Sequence, residues 1–240
     1  MSPGKIHRPH IHKEGRNPII LMVCILFIIN TVVYLRFSNL VFAITLIVAA
    51  FLLVFVSYFF RSPLRFLSIE DPNYIIAPAD GRVVVIEQTF EDEYFKKDMI
   101  QVSIFMSPFN VHANWYPIEG EILESRHQRG RHKGAWLPKS SKENERSMVV
   151  IRNEHEIEIM VRQVAGAMAR RIVTYAKPGG QALRNHHLGF IKFGSRVDMY
   201  LPLDTEMAIE LGDKVVGNES IIGYLHSADS GASVLRENSH

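Results

Sequence analysis

Apolar residues follow two unlike patterns along the chain. From Pro18 to Leu35, and again from Leu40 to Phe60, no charged residue occurs, giving runs of 18 and 21 residues. A spanning helix needs about 20 mostly apolar residues at a rise of about 1.5 Å each, so each run predicts a transmembrane helix. Only Arg36-Phe37-Ser38-Asn39 lies between them, a link that fits a tight helical hairpin. A cleaved signal peptide is the competing reading of the first run, which Lys5, Arg8, Lys13 and Arg16 precede. That run is longer than a typical signal core, no small-residue cleavage site follows, and a second run comes at once, so two retained spans are expected. The basic residues before the hairpin, with Arg61 and Arg65 after it, favour the cytoplasmic side against the weaker pull of Arg36 in the turn. The expected topology puts both ends inside an inner cell membrane, with everything after about Arg61 in the cytoplasm.

Beyond Ser62-Pro63 the pattern changes to short alternating stretches bounded by turn residues. "YIIAPADGRVVVIEQTF" reads as two strands joined by a tight turn at Pro78-Ala79-Asp80-Gly81. "MIQVSIFMSPFNVHANWYP" gives a strand, a break at Ser107-Pro108 and an extended piece through His112 and Trp115, and "IEGEILESRHQRG" gives another strand. Residues 130–147, "GRHKGAWLPKSSKENERS", read as a polar loop. "MVVIRNEHEIEIMVRQVAG" predicts two strands around a turn near Asn153-Glu154, and "AMARRIVTYAKPGG" runs on to a turn at Pro178-Gly179-Gly180. "LGFIKFGSRVDMYLP" reads as one strand interrupted only by Gly194-Ser195, and "GDKVVGNESIIGYL" closes the series. The fold expected is a β-rich α+β class. A compact sandwich or barrel-like domain of short strands, with room for one or two helices, follows the N-terminal two-helix hairpin. The divisions are a basic tail over 1–17, the hairpin over 18–61 and the strand-rich domain over 62–240.

Composition narrows the chemistry. The single cysteine, Cys24, lies in the first span, which leaves the strand-rich domain neither a disulfide nor a thiol nucleophile. A formal charge of +2 and a pI near 8.6 suit a domain resting near anionic lipid and fall short of a nucleic-acid footprint. His186-His187 and the tail histidines His7, His10 and His12 come without a Cys/His/Asp array, so no metal is expected. Asp80 alone is a turn aspartate, and His112 alone is an extended-segment histidine suited to proton transfer near neutral pH. Asn144-Glu145-Arg146 offers a phosphate- or carboxylate-binding arginine within a charged loop. Gly194-Ser195 carries a further option. A serine hydroxyl can attack the preceding carbonyl to give an ester by N-to-O acyl shift, and glycine leaves that carbonyl open. Elimination and hydrolysis then leave a pyruvoyl group and ammonia. A pyruvoyl carbonyl captures an amine and acts as an electron sink, which a bound cofactor would otherwise supply.

The ordered set "PADGRV", "SIFMSPFNVHANWYP", "KENERS" and "GFIKFGSRVDMYLP" behind a membrane hairpin resembles the phosphatidylserine decarboxylases, most closely their short bacterial and archaeal form. The resemblance covers roughly residues 62–226. It implies a proenzyme cut between Gly194 and Ser195 into a β chain of residues 1–194 and an α chain of residues 195–240. Ser195 would become the pyruvoyl group, with neither metal nor pyridoxal phosphate. Asp80 matches the aspartate of the family's "PADG" turn, and His112 the histidine associated with proton transfer in decarboxylation. Arg146 is the expected headgroup contact. Two positions depart from longer members: Trp115 stands where a second histidine completes their self-cleavage triad, and Arg196 where many have Thr or Ser. The implied partners are a phospholipid in the membrane and the chain's own two fragments as a heterodimer, with a higher oligomer left open and no nucleic acid. Two other readings stay open. One is another serine phospholipid such as archaetidylserine, and the other a non-enzymatic lipoyl-like scaffold. The second lacks the usual exposed lysine at a hairpin tip. A β-sandwich zinc peptidase, which can share the "PADG" turn, lacks its ligand spacing.

Overall fold

A computed structural model describes residues 10–69, 71–130, 144–166, 171–192 and 195–226. The chain divides into two units, Met1–Leu64 and Arg65–His240.

The first unit is a helical hairpin closed at its base. Strand β1 (His10–Ile11) leads into α1 (Lys13–Arg36), then α2 (Asn39–Phe59) and β2 (Arg61–Ser62). The helices start from caps rather than from the apolar runs alone. The His12 side chain accepts from the Glu14 N–H at 3.3 Å, which carries α1 five residues ahead of Pro18 through polar sequence. β1 and β2 pair antiparallel, and His12 N–H donates to the Phe60 carbonyl at 2.8 Å, so the two ends of the hairpin are clasped. Gly15 makes this closure fit, because a Cβ there would lie 2.4 Å from the Phe60 Cβ. Between the helices, Thr45 Oγ1 donates to Asn30 Oδ1 at 3.1 Å, a polar tie of the kind that registers helices in an apolar medium. Large apolar residues such as Leu21, Phe27, Leu40 and Ile47 point outward, and both helices are long and apolar enough to cross a membrane.

The second unit is built from strands, and no α-helix occurs among its described residues. Its strands in chain order are β3 (Tyr74–Ile76), β4 (Gly81–Glu91), β5 (Lys97–Met106), β6 (Ala113–Trp115), β7 (Gly120–Gln128), β8 (Arg146–Arg152) and β9 (Glu158–Ala165). They continue with β10 (Arg171–Thr174), β11 (Gln181–Ala182), β12 (His187–Lys192), β13 (Ser195–Leu201), β14 (Glu206–Met207), β15 (Lys214–Val215) and β16 (Ile221–Tyr224). A curled antiparallel sheet of order β11-β7-β8-β9-β13-β5-β4-β15 faces two small sheets, β10-β12-β6 and β14-β16-β3. The core lies between them: Ile104, Val149, Val161 and Val197 from the large sheet pack with Leu188 and Ile191 of β12 and Ile222 of β16.

Two findings revise the alternation expected around Gly194-Ser195. The stretch is two strands in different sheets: β12 pairs with β10 and β6, whereas β13 pairs with β5 and β9. The change of sheet falls between Lys192 and Ser195, while Phe193 and Gly194 lie outside the described residues. Nor are the polar positions of β13 a solvated face. Every residue of β13 is buried; on the outer face Tyr200 clusters with Met99, Met148 and Met160 of the same sheet, and Tyr94 and Phe95 of the β4–β5 turn pack against that cluster.

Charges buried there are paired. Arg196 Nε lies 2.8 Å from Asp198 Oδ1. Arg162 meets Glu91 at 3.0 Å and donates to the Tyr200 hydroxyl at 2.6 Å. Burial, with the Asp198 carboxylate adding to it, raises the Tyr200 pKa far above its ordinary value, so a neutral hydroxyl accepts that bond. Glu91 also accepts from the N–H groups of Glu93, Tyr94 and Phe95 at 2.8–3.1 Å, closing the β4–β5 turn. Removing one partner of a buried pair strands the other charge. Glu91→Ala is therefore expected to cost about 3–5 kcal/mol in denaturant unfolding, and a loss below about 1 kcal/mol, the range of an exposed pair, would contradict this account.

Candidate active site

Ser195 opens β13 and is fully buried, paired with Met106 of β5 on one side and Ala165 of β9 on the other. Its hydroxyl donates to Met106 Sδ at 3.2 Å. The same sulfur lies 3.7 Å from Asn114 Nδ2, a buried amide on β6. Asn114 Oδ1 accepts from Gln163 Nε2 at 2.7 Å, and Gln163 Oε1 accepts from Ser147 Oγ at 2.7 Å. A line of buried polar side chains thus runs from β8 through β9 and β6 to the sulfur that holds Ser195. In a low-dielectric core such a chain is stable only when its members are satisfied, and it then fixes one geometry.

His112 lies just before β6 and is also fully buried. Its Nδ1 is 3.0 Å from the Asn110 carbonyl, so a neutral ring carries its proton on Nδ1 and keeps Nε2 basic. The His112 carbonyl accepts from Ile191 N–H at 3.2 Å, and its ring packs at 6.5 Å on Phe190. His112 is thereby fastened to β12, the strand that runs toward Ser195.

Asp80 is held from four directions. Arg65 Nη1 contacts Oδ1, Arg65 Nη2 donates to Oδ2 at 3.0 Å, Gly217 N–H to Oδ1 at 2.9 Å, and Val111 N–H to Oδ2 at 3.3 Å. Arg65 also donates to the Gly217 carbonyl at 2.9 Å and stacks 5.1 Å from the Trp115 ring centroid. Trp115 in turn meets His187 edge-on at 5.1 Å. A Cβ at Gly217 would lie 2.7 Å from the indole, so only glycine lets this turn pack there. The group beside the Asp80 carboxylate is therefore an arginine that stacks on Trp115.

Asp80, His112 and Ser195 therefore belong to one linked region: Asp80 holds the N–H of Val111, the residue before His112, and β6 carries Asn114 toward Ser195. Gly194 lies outside the described residues. Arg146 is placed elsewhere. It shares a sheet face with Val164 and Arg196, opposite to that of Ser195, and pairs with Glu93 at 2.6 Å. Its two neighbours reach the Ser195 side instead: Asn144 Nδ2 donates to the Ala165 carbonyl at 2.7 Å, and the Glu145 carbonyl accepts from Ala165 N–H at 2.9 Å. Arg65, Met106, Asn114 and Gln163 are the members of the site that motif reading passes over.

A family model described as phosphatidylserine decarboxylase matches residues 52–223. Curated relatives span nearly the same length. A phosphatidylserine decarboxylase proenzyme of Parabacteroides distasonis is 49% identical over 216 residues, 90% of this chain and 98% of the relative. Proenzymes of the same description are 46% identical in Bacteroides fragilis, over 92% of this chain and 97% of the relative, and 42% identical in Cytophaga hutchinsonii, over 90% and 99%.

Arg65 and Asp80 are both about nine-tenths buried, with side-chain exposures of 11% each, so their contributions to stability should not be independent. A double-mutant cycle on Arg65→Ala and Asp80→Ala is expected to return a coupling energy of about 0.5–3 kcal/mol. Additive losses would show that the latch is not a unit.

Proposed function

The chain belongs to the phosphatidylserine decarboxylase family, and on that premise we propose that it is a membrane-anchored, self-processing decarboxylase that converts phosphatidylserine to phosphatidylethanolamine and CO2. The observation that carries this reading is the position of Ser195: a buried hydroxyl on the first residue of a central strand, directly after a change of sheet.

Self-processing uses the chain's own atoms. The Ser195 hydroxyl attacks the Gly194 carbonyl, moving the acyl group from nitrogen to oxygen. Elimination across Ser195 releases the Gly194 carboxylate as the end of the β chain. Water then converts the remaining dehydroalanine to a pyruvoyl group on the α chain and frees ammonia. The residues present suit such a group, since a small carbonyl at position 195 would meet Met106 and the amide of Asn114 in place of bulk water. When formed, the pyruvoyl group supplies the electron sink for decarboxylation.

The other roles follow from what each side chain holds. His112, its Nδ1 turned to the Asn110 carbonyl and its lone pair on Nε2, would take up a proton from the substrate ammonium at Nε2 and return it to the α-carbon after CO2 leaves. Asp80 acts as a positioning residue: with its carboxylate taken by Arg65 and two backbone N–H groups, it fixes the segment that carries His112. Asn114, held by Gln163, orients Met106 and with it the Ser195 hydroxyl. The apolar hairpin keeps the domain at the bilayer, so the acyl chains stay in lipid and only the headgroup reaches the site. The arginines at the ends of the hairpin favour the cytoplasmic face for that domain. The α chain stays with the β chain as a heterodimer.

Intact mass of the purified protein is expected to show a fragment of residues 195–240 with a blocked N-terminus, absent in Ser195→Ala. A wild-type chain that decarboxylates while whole would overturn the reading. His112→Ala is expected to cleave normally yet lose about 10²–10⁴-fold in decarboxylation rate. Failure to cleave would instead assign His112 to activation of Ser195.

A further inference from the structure

A polar cavity of about 690 Å³ opens beside the Ser195 strand, lined by His127 and Arg129 at the end of β7, Glu145 before β8, and Arg171 at the start of β10. Its charges are unequally committed. The Glu145 carboxylate faces His127 Nε2 at 3.2 Å and accepts from Ile172 N–H at 3.3 Å. Arg129 and Arg171 are exposed, and neither has an ion pair among the described residues. Among the described residues, the lining thus offers two exposed guanidinium groups beside one carboxylate that is already engaged.

Two links place this cavity next to the reactive serine. Glu145 is hydrogen-bonded to Ala165, the cross-strand neighbour of Ser195, so two strand spacings, roughly 10 Å, separate the Glu145 and Ser195 backbones. On the opposite wall, Ile172 and Val173 pair with Ile191 and Phe190, and Phe190 is the ring on which His112 packs. The cavity is thus bounded by the strands that carry the proposed nucleophile and lead to the proposed proton donor.

We infer that this cavity is the subsite for the phosphodiester of the substrate headgroup, with Arg129 and Arg171 as its anion-binding residues. The inference rests on the decarboxylase reading above and names the side chains that would hold the substrate. Guanidinium groups match phosphate oxygens in paired hydrogen bonds. The phosphate of a serine phospholipid is only a few bonds from the amine that must reach position 195, so a cavity one side chain's reach away is correctly distant. Glu145 acts as a positioning residue, because its bond to Ile172 N–H fixes the start of β10 and hence Arg171.

The test uses the full-length protein in neutral detergent micelles and, separately, in anionic vesicles. Arg129→Ala and Arg171→Ala are expected to self-cleave normally and to raise KM for short-chain phosphatidylserine about 10- to 100-fold in micelles, with kcat within a few-fold. Lysine at either position should restore part of the loss. In the uncleaved Ser195→Ala chain, the same substitutions should weaken binding of glycerophosphoserine by a similar factor and leave free serine unaffected. That arm tests the cavity even if the wild-type protein decarboxylates nothing, an outcome that would sink the proposed function alone. An unchanged KM in micelles overturns the subsite. A KM rise confined to anionic vesicles overturns it too, by assigning the arginines to docking on the bilayer surface. Loss of self-cleavage in both the alanine and lysine variants would make the cavity a structural element and likewise overturn the proposal.

Discussion

Asp80 accepts from both terminal nitrogens of Arg65 and from the N–H groups of Val111 and Gly217, and those donors come from three segments that no β-ladder joins directly. The segment that begins at Arg65, the approach to His112 and the turn after β15 converge on the one carboxylate that the turn before β4 presents. Removing either charge would leave the other buried, a loss of about 3–5 kcal/mol in comparable pairs. Such a carboxylate is poorly placed to shuttle protons and well placed to hold geometry. The irregular segment after Arg65 is tied down in the same way: Asn185 Oδ1 accepts from Leu67 N–H at 3.0 Å, Asn218 Nδ2 donates to the Arg65 carbonyl at 3.0 Å, and Arg184 Nη1 to the Ile69 carbonyl at 2.7 Å. The strand-rich unit therefore begins rigidly at its first residue.

The second constraint is polar order inside an apolar core. Ser147, Gln163 and Asn114 sit among valines and isoleucines that would pack as well around aliphatic neighbours. Their mutual bonds at 2.7 Å make that arrangement specific rather than merely tolerated. Met106 passes the specificity on, since its sulfur is a weak acceptor that orients the Ser195 hydroxyl without deprotonating it. The side chains in contact with the Ser195 hydroxyl and its acceptor are thus uncharged.

The hairpin was legible because long runs without charge have few alternatives. The strands were legible because alternation and turn residues mark a sheet. Alternation at β13 did not reveal that Arg196 and Asp198 are buried and pair with each other. A local pattern carries no information about neighbours contributed by distant strands. The switch of sheet at Ser195 escaped for the same reason, since both halves alternate alike. Arg65 read as a topology signal because its carboxylate lies 15 positions away. Gln163 offered a usable signal: it falls on the inward register between Val161 and Ala165, where a polar residue requires an internal partner. Within the "NER" triplet one step along a strand reverses the face, so Arg146 turns to the side opposite Ser195.

The strand that begins at Ser195 lies between β5 and β9 as far as Tyr200, and the later strands β15 and β16 add to β4 and β3 in other parts of the domain. The segment after Ser195 has no core of its own; each of its strands completes a sheet that earlier residues began. A chain severed at that point would be topologically finished and could not be assembled again from its halves by simple mixing. Its shorter half would have to thread between two strands in the middle of a sheet, so order of events matters: folding must precede scission, and a molecule that unfolds afterwards has lost its route back.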